Sequence, residues 1–321
     1  MEMIDHAGTA AAEPVPFADG IYFGLDEGAY HRDLALGSSD LKRLAAEPAD
    51  YWYSSPLNPD LPPEETTPSQ LIGKAVHKLV LEGEQAFAAR FIRRPDDLAR
   101  LDAKARARIA PNGQDVLPGD DFDRIRIAAG QVLANPYLSA SFTGGSPEVS
   151  IFWTETVEGE PVRRKARFDY LKPRAVVDLK SVRPMDTAPF PDTCRKAIAN
   201  WGYHTQAAAY LQARAQVPAL VAAGAVQGDH DPAWLARVAE APAHAFVFVF
   251  WSSSGAPLTW GTILSPGNDL VTYGEGKVAA ALYAYATARR RFGLRSPWIE
   301  PQPLREIELA DMPGWFQRGA L

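Results

Sequence analysis

The sequence predicts an α/β fold, a central mixed β-sheet flanked by helices, and three observations carry that reading. Residues 163–181, RRKARFDYLKPRAVVDLKS, read as two strands around the polar break Lys172-Pro173-Arg174, because β-branched and aromatic residues flank a proline. Residues 244–251, HAFVFVFW, are a near-continuous apolar run closed by SSSGAP, as expected of a central strand buried on both faces. Around these strands lie longer stretches with apolar residues at helical spacing.

Composition sets the bounds. The chain has 321 residues, 46% hydrophobic and 22% charged, ordinary values for a soluble globular protein with a sizeable core. No apolar run approaches the ~18 residues of a membrane span, and the N-terminus lacks the basic and apolar blocks of a signal peptide, so a cytoplasmic protein without a membrane partner is expected. The single cysteine, Cys194, excludes an internal disulfide framework and a clustered cysteine metal site. There is no repeat, P-loop or dinucleotide-binding fingerprint.

Taken in order, residues 1–17 are rich in Ala, Pro and Glu and read as disordered. Residues 20–36 read as a short strand or loop, and Ser38-Ser39-Asp40 reads as the N-cap signal of a helix that stops near Pro48. Tyr51, Trp52 and Tyr53 then pack on the core, and residues 54–68 form a Pro-rich loop. Thr67 or Ser69 caps a helix whose apolar stripe is Leu71, Ile72, Ala75, Val76, Leu79 and Val80, with Gly73 and His77 one turn apart on a shared face.

Residues 96–147 read as a helical insertion, with helical spacing through Phe122, Ile125, Ala129 and Val132. Glu148 opens the next strand on the face opposite Val149, Ile151 and Trp153. After the 163–181 hairpin, residues 189–216 form a long helical region, kinked near 200–202, in which Tyr203, Gln206 and Tyr210 share one face. A short helix falls within residues 217–243, the 258–264 segment pairs with the apolar strand, and residues 268–292 form a helix ending in Arg289-Arg290-Arg291 before Gly293. The tail, 296–321, is Pro-rich and irregular.

The chemistry concentrates in the hairpin. Asp178 and Lys180 are two residues apart, so strand periodicity puts both on one face while Leu179 points the other way. Asp169 lies near the end of the first strand, within reach across the turn. Salt-bridged surface hairpins carry the same residue types, but the flanking Ala175-Val176-Val177 and Leu179 mark a buried strand, where an unpaired charge is costly. Two acids and a lysine at buried strand ends can hold a hard divalent cation and set a positive charge beside an attacking water. The run Arg163, Arg164, Lys165 and Arg167 beside them is either a solvated face or a groove for phosphates, and its position favours the groove despite the net charge of −6.

Asp169 followed by Asp178-Leu179-Lys180 resembles the D…(D/E)xK core of the PD-(D/E)xK nuclease superfamily, a restriction-endonuclease-like fold. With SSDLKRLAAEPADYW and the Gly-x-x-x-His helix GKAVHKLVLEGEQAFAARFI ahead of it, the order resembles the nuclease domain of RecE-type exonucleases (the exonuclease VIII family) over residues 20–292. The resemblance implies a nuclease domain over residues 18–295 that degrades one strand of linear duplex DNA, 5′ to 3′, in phage-type recombination. It implies a site in which His77, Glu148, Asp169, Asp178 and the Leu179 carbonyl bind Mg2+, or Mn2+ in its place. Lys180 then positions or deprotonates the nucleophile and Gln206 orients it. Arg164, Lys165, Arg167 and Tyr210 are the expected DNA contacts. Implied partners are double-stranded DNA ends, further copies in a homo-oligomeric ring, and a RecT-like single-strand annealing protein. An endonuclease or single-strand nuclease on the same residues, a silent DNA-binding member, or an unrelated α/β enzyme with an accidental Asp-x-Lys are the alternatives.

Overall fold

The computed structural model describes residues 16–62, 67–98 and 101–317. The expected disorder of residues 1–17 therefore falls almost wholly outside the described residues, as does part of the Pro-rich loop.

The chain enters through β1 (Gly20–Tyr22) and α1 (Glu27–Arg32), then α2 (Ser38–Ala46) and α3 (Pro48–Ser54). The N-cap of α2 is Gly37, one residue earlier than the serine signal suggests, because the Gly37 N–H donates to Asp40 Oδ2 at 2.8 Å. Pro48 both ends α2 and starts α3, where a missing N–H costs nothing. That puts Tyr51 and Trp52 in the core and leaves Tyr53 exposed.

Thr67 and Gln70 exchange hydrogen bonds to start α4 (Pro68–His77), which runs into a π-helical turn, Lys78–Glu82, and α5 (Gly83–Arg90). Next come β2 (Phe91–Arg93), α6 (Ala103–Ile109), β3 (Asp115–Leu117) and α7 (Gly119–Ala134). The stretch expected to be a helical insertion thus contains a strand that pairs in parallel with β2. Its helix α7 is no appendage either, since Ile125, Ala129 and Val132 share a core with Leu179.

The hairpin strands follow as β4 (Ser146–Val157), β5 (Glu160–Lys172) and β6 (Ala175–Val182). Beyond them lie α8 (Phe190–Asn200), α9 (Tyr203–Ala222), β7 (Val226–Gln227), α10 (Pro232–Glu240), β8 (Ala245–Ser252), β9 (Thr259–Leu264) and α11 (Asp269–Phe292). The expected kink is the break between α8 and α9, where Gly202 adopts φ 59°, a left-handed conformation open to glycine at little cost. Helix α9 continues past the expected end through Pro218, because Val217, Leu220 and Val221 pack into the core on both sides of it. Gly274 of α11 lets that helix lie directly on α9, since a Cβ there would stand 2.2 Å from the His204 carbonyl oxygen.

The sheet has seven strands in the order β7-β1-β4-β5-β6-β8-β9 and is mixed: β6 and β8 run parallel, while β4-β5, β5-β6 and β8-β9 are antiparallel. One face carries α2, α8, α9 and α11 over Phe246, Phe248 and Phe250. The other carries α4, its π-helical turn and α7 over Val177, Leu179, Val249 and Trp251. The predicted α/β layering is therefore what the chain builds. Past α11 the tail is anchored by Trp298, buried against Tyr51 and Tyr285, and then exposes Leu304, Ile307 and Trp315. Among the described residues no helix is long and apolar enough to cross a membrane.

Two local features open a site in this sheet. Strands β5 and β6 pair only over Tyr170↔Val177, Leu171↔Val176 and Lys172↔Ala175, and then part. On the other side of β5, Glu148 and Asp169 fall opposite each other between two paired positions but are not themselves paired, and Glu148 has φ 55°. A glutamate in the left-handed region is strained, and strain of this kind collects at functional sites.

Candidate active site

The parting of β5 and β6 leaves the backbone of Leu179 without a β5 partner, and side chains take its place. The Leu179 N–H donates to Asp169 Oδ2 at 2.8 Å, and the Leu179 carbonyl lies 2.8 Å from His77 Nε2. Because a carbonyl can only accept, Nε2 carries the proton. Nδ1 of the same ring stands 3.6 Å from Asp169 Oδ2. Helix α4 thus delivers His77 to the end of β6, and the π-helical turn that follows reorients the helix directly after it.

On the α9 face of the sheet, Asp178 is fully buried. Lys180 Nζ donates to its Oδ1 at 2.8 Å, Gln206 Nε2 donates to the same oxygen at 2.7 Å, and Lys180 also stands over the Tyr203 ring at 5.2 Å. The Oδ2 oxygen is 2.7 Å from Lys180 but has no aligned hydrogen bond. Tyr203, Gln206 and Tyr210, the stripe read from the helical spacing, therefore line the underside of the site.

Burial dominates the electrostatics. It lifts both Asp169 and Asp178 to a pKa of about 6, against the opposing pull of Lys180. Burial alone would lower Lys180, but Asp178 and Asp169 more than offset it and hold the ammonium protonated above its ordinary value. His77 is held below its ordinary value, first by burial and then by the charge of Lys180. Two carboxyls that ionise only reluctantly beside a lysine are what an acid–base or cation-binding centre needs.

Asp169, His77, Glu148, Arg167 and Tyr210 border a cleft of about 690 Å3, walled also by Tyr30, Lys74, Lys78 and Arg90. Asp178, Lys180 and Gln206 are not among its walls. The residue types suit a hard divalent cation: two carboxylates, a main-chain carbonyl, and a buried Asp178 oxygen without a hydrogen bond. Even so, among the described residues no three His, Cys, Asp or Glu side chains gather as ligands. Each expected ligand is turned onto a protein partner, and Glu148 is held by Arg167 at 2.6 Å.

The expected DNA contacts need correction. Arg164 is 1% exposed, pairs with Glu155 at 2.8 Å and stacks on Trp153. Lys165 is buried, its ammonium donating to the carbonyls of Tyr30 at 2.9 Å and Asp33 at 2.7 Å. The reason is the segment before α2, whose Leu36 pairs with β5 through both of its backbone groups and covers the strand. Tyr210 is a core ring against Phe168 and Phe246 that only borders the cleft. Of the basic run, only Arg167 reaches the cleft, and the cations that line it with Arg167 are Lys74, Lys78 and Arg90. Lys74 sits on the helix that carries His77 and Lys78 opens the π-helical turn directly after it, and their nearness to His77 in sequence was the available signal. Arg289 and Arg290, at the end of α11, donate to the carbonyls of Pro161 at the start of β5 and of Glu158 in the β4–β5 turn.

A mixed sheet between helical layers, with Asp169 and the Asp178-Leu179-Lys180 strand meeting where β5 and β6 part, defines a PDDEXK-class protein. Residues 37–220, more than half of the chain, match the family described as "PDDEXK-like domain of unknown function (DUF3799)", and the chain belongs to that family. In structure it is similar to a crystal structure of a "putative exonuclease" from Eubacterium rectale, at 14% identity over 90% of this chain and 98% of that one, with a TM-score of 0.51. At that identity the likeness concerns the fold. A crystal structure of SSO0001 overlaps 68% of this chain and 86% of its own at 14% identity, and its TM-score of 0.26 supports no argument. No curated protein matches the sequence.

Proposed function

We propose that the protein is a metal-dependent deoxyribonuclease that degrades one strand of linear double-stranded DNA from an end, as RecE-type exonucleases do. The observation that carries this reading is the meeting of Asp169 and His77 on the backbone of Leu179 beside Asp178, whose carboxylate holds both Lys180 and Gln206. Of the nuclease chemistries the family pattern allows, an end-directed one is supported by the printed name of the Eubacterium rectale neighbour.

Asp169, Asp178 and the Leu179 carbonyl would hold a divalent cation, with His77 and Glu148 on the cleft side. Such a cation lowers the pKa of a bound water and offsets charge on the phosphorane-like transition state. The rest falls to the chain. Lys180, an ammonium in contact with Asp178, positions the attacking water, whose proton the carboxylate can take. Gln206, anchored on Asp178 Oδ1, fixes the orientation of the acid. Arg167, Lys74 of α4 and Lys78 of the π-helical turn supply positive charge along the cleft for the DNA backbone.

The test is degradation of linear against covalently closed circular duplex DNA, with Mg2+ and with EDTA, for the wild type and Asp178→Ala. Loss of the linear form alone, only with metal and only with Asp178, is the expected result. Cutting of circles would replace the exonuclease reading with an endonuclease on the same residues. No cutting of either form would leave a DNA-binding protein without activity.

A further inference from the structure

We propose that Lys42 is a substrate contact, binding a non-bridging phosphate oxygen of the DNA strand on the α2–α9 side of Lys180. The proposal rests on the nuclease reading of the same centre. Lys42 projects from α2, and its ammonium stands 5.7 Å from the centroid of the Tyr203 ring, the ring that Lys180 approaches to 5.2 Å. Two lysines therefore share one aromatic ring at the edge of the site.

Their situations differ. Lys180 faces Asp178, and Arg167 across the site faces Glu148. Among the described residues Lys42 forms no ion pair, and its hydrogen bond is to the Trp201 carbonyl at 3.2 Å. A half-buried ammonium beside a second ammonium, with one carbonyl and no carboxylate, is a cation awaiting an anion. In agreement, burial first and the charge of Lys180 second bring its pKa down to about 8, with Asp178 pulling the other way. The substrate of this centre is a polyanion, and a phosphate oxygen is the anion that would relieve Lys42. A lysine binds phosphate as a point charge, so it requires no bidentate geometry.

A purely structural role competes with this one. Trp201 is the C-cap of α8, and a lysine donating to a terminal carbonyl stabilises a helix end. The two roles separate with a pair of variants. Lys42→Gln keeps a donor for the Trp201 carbonyl and removes the charge, whereas Lys42→Arg keeps the charge. With a linear duplex and Mg2+, Lys42→Gln should lose roughly tenfold or more in kcat/KM, the usual effect of deleting a hydrogen bond to a charged group, and Lys42→Arg should recover most of it. In EDTA, the slope of log Kd against log salt for the same duplex should fall by about one in Lys42→Gln and stay unchanged in Lys42→Arg.

All measurements are made below each variant's melting transition, so a weakened helix end cannot imitate the result. If Lys42→Gln matches an active wild type in kcat/KM and in salt slope, Lys42 is a helix cap and the proposal falls while the nuclease reading stands. If the wild type cuts no DNA under any metal condition, the nuclease reading falls and takes this proposal with it.

Discussion

Replacing the buried acid Asp178 by Asn should raise the stability of the metal-free protein while abolishing activity. Asp178 is fully buried, and burial lifts its pKa from 3.8 to about 6 despite the Lys180 ammonium. A carboxyl with a raised folded pKa stabilises the native state at low pH, and that contribution is lost as pH rises through the folded value. At ~1.4 kcal/mol per pH unit, ionised Asp178 therefore costs about 3 kcal/mol above pH 6. Asparagine keeps an Oδ1 for Lys180 and Gln206 and carries no charge. At about 2 °C per kcal/mol for a chain of this size, Asp178→Asn should melt roughly 4–6 °C above the wild type at pH 8. The difference should shrink towards zero between pH 6 and pH 4. The assay is thermal denaturation in EDTA across that range, repeated with Mg2+ or Mn2+. Metal should stabilise the wild type, by about 2.7 kcal/mol at a hundredfold excess over Kd, and should stabilise the variant far less. A metal-free variant that melts at or below the wild type at pH 8 would refute the reasoning, because Lys180 and Gln206 would then outweigh burial.

Lys180→Ala should lower turnover by about 10²–10⁴-fold, the usual range for a positioned proton-transfer group, while keeping the metal-dependent rise in melting temperature. Arg164→Ala should destabilise the fold by roughly 2–4 kcal/mol through the lost Glu155 pair and Trp153 stacking, and should leave the salt slope of DNA binding unchanged, as chemical denaturation and a salt titration would show. Burial, with Arg214 nearby, lowers the His244 pKa to about 4, so its imidazole is neutral in the folded protein and protonates more readily on unfolding. Stability should therefore fall as pH drops from 6.5 towards 4, and His244→Leu should flatten that part of a melting-temperature profile.

The hairpin was legible because two periodicities agree there. Alternation put Asp178 and Lys180 on one face, and the apolar neighbours required burial, so β5, β6 and the Asp178–Lys180 pair could be placed from spacing alone. The helical stripe Tyr203, Gln206, Tyr210 was legible from its i, i+3, i+7 spacing, and that face of α9 lies on the sheet beside Asp178 and Lys180. The basic run was not, because a string of charges does not say where its partners are. Arg163 finds Asp33, Lys165 finds carbonyls of the segment before α2, and Arg164 finds Glu155, with two of these three meetings spanning more than a hundred residues of sequence. Lys42 gave no signal for a related reason. It is one polar residue in an amphipathic helix, and only the fold sets it beside Tyr203.

The site is assembled from groups that replace missing sheet. Where β5 and β6 part, the two polar backbone groups of Leu179 lose a strand partner, and unsatisfied they would each cost ~1–3 kcal/mol. Asp169 accepts from one and His77 donates to the other, so two expected metal ligands also complete the β-ladder. Asp178 is committed in the same way, its Oδ1 holding both Lys180 and Gln206. Cation binding here would thus be an exchange of partners and not an addition of ligands to a waiting cage. This accounts for finding, among the described residues, hard oxygen donors, a buried acid with one oxygen free of hydrogen bonds, and no gathered set of three ligands in the same few ångströms. Lys180 touches Asp178 and stands over the Tyr203 ring at once, so a cation that took the carboxylate would leave the ammonium beside that ring.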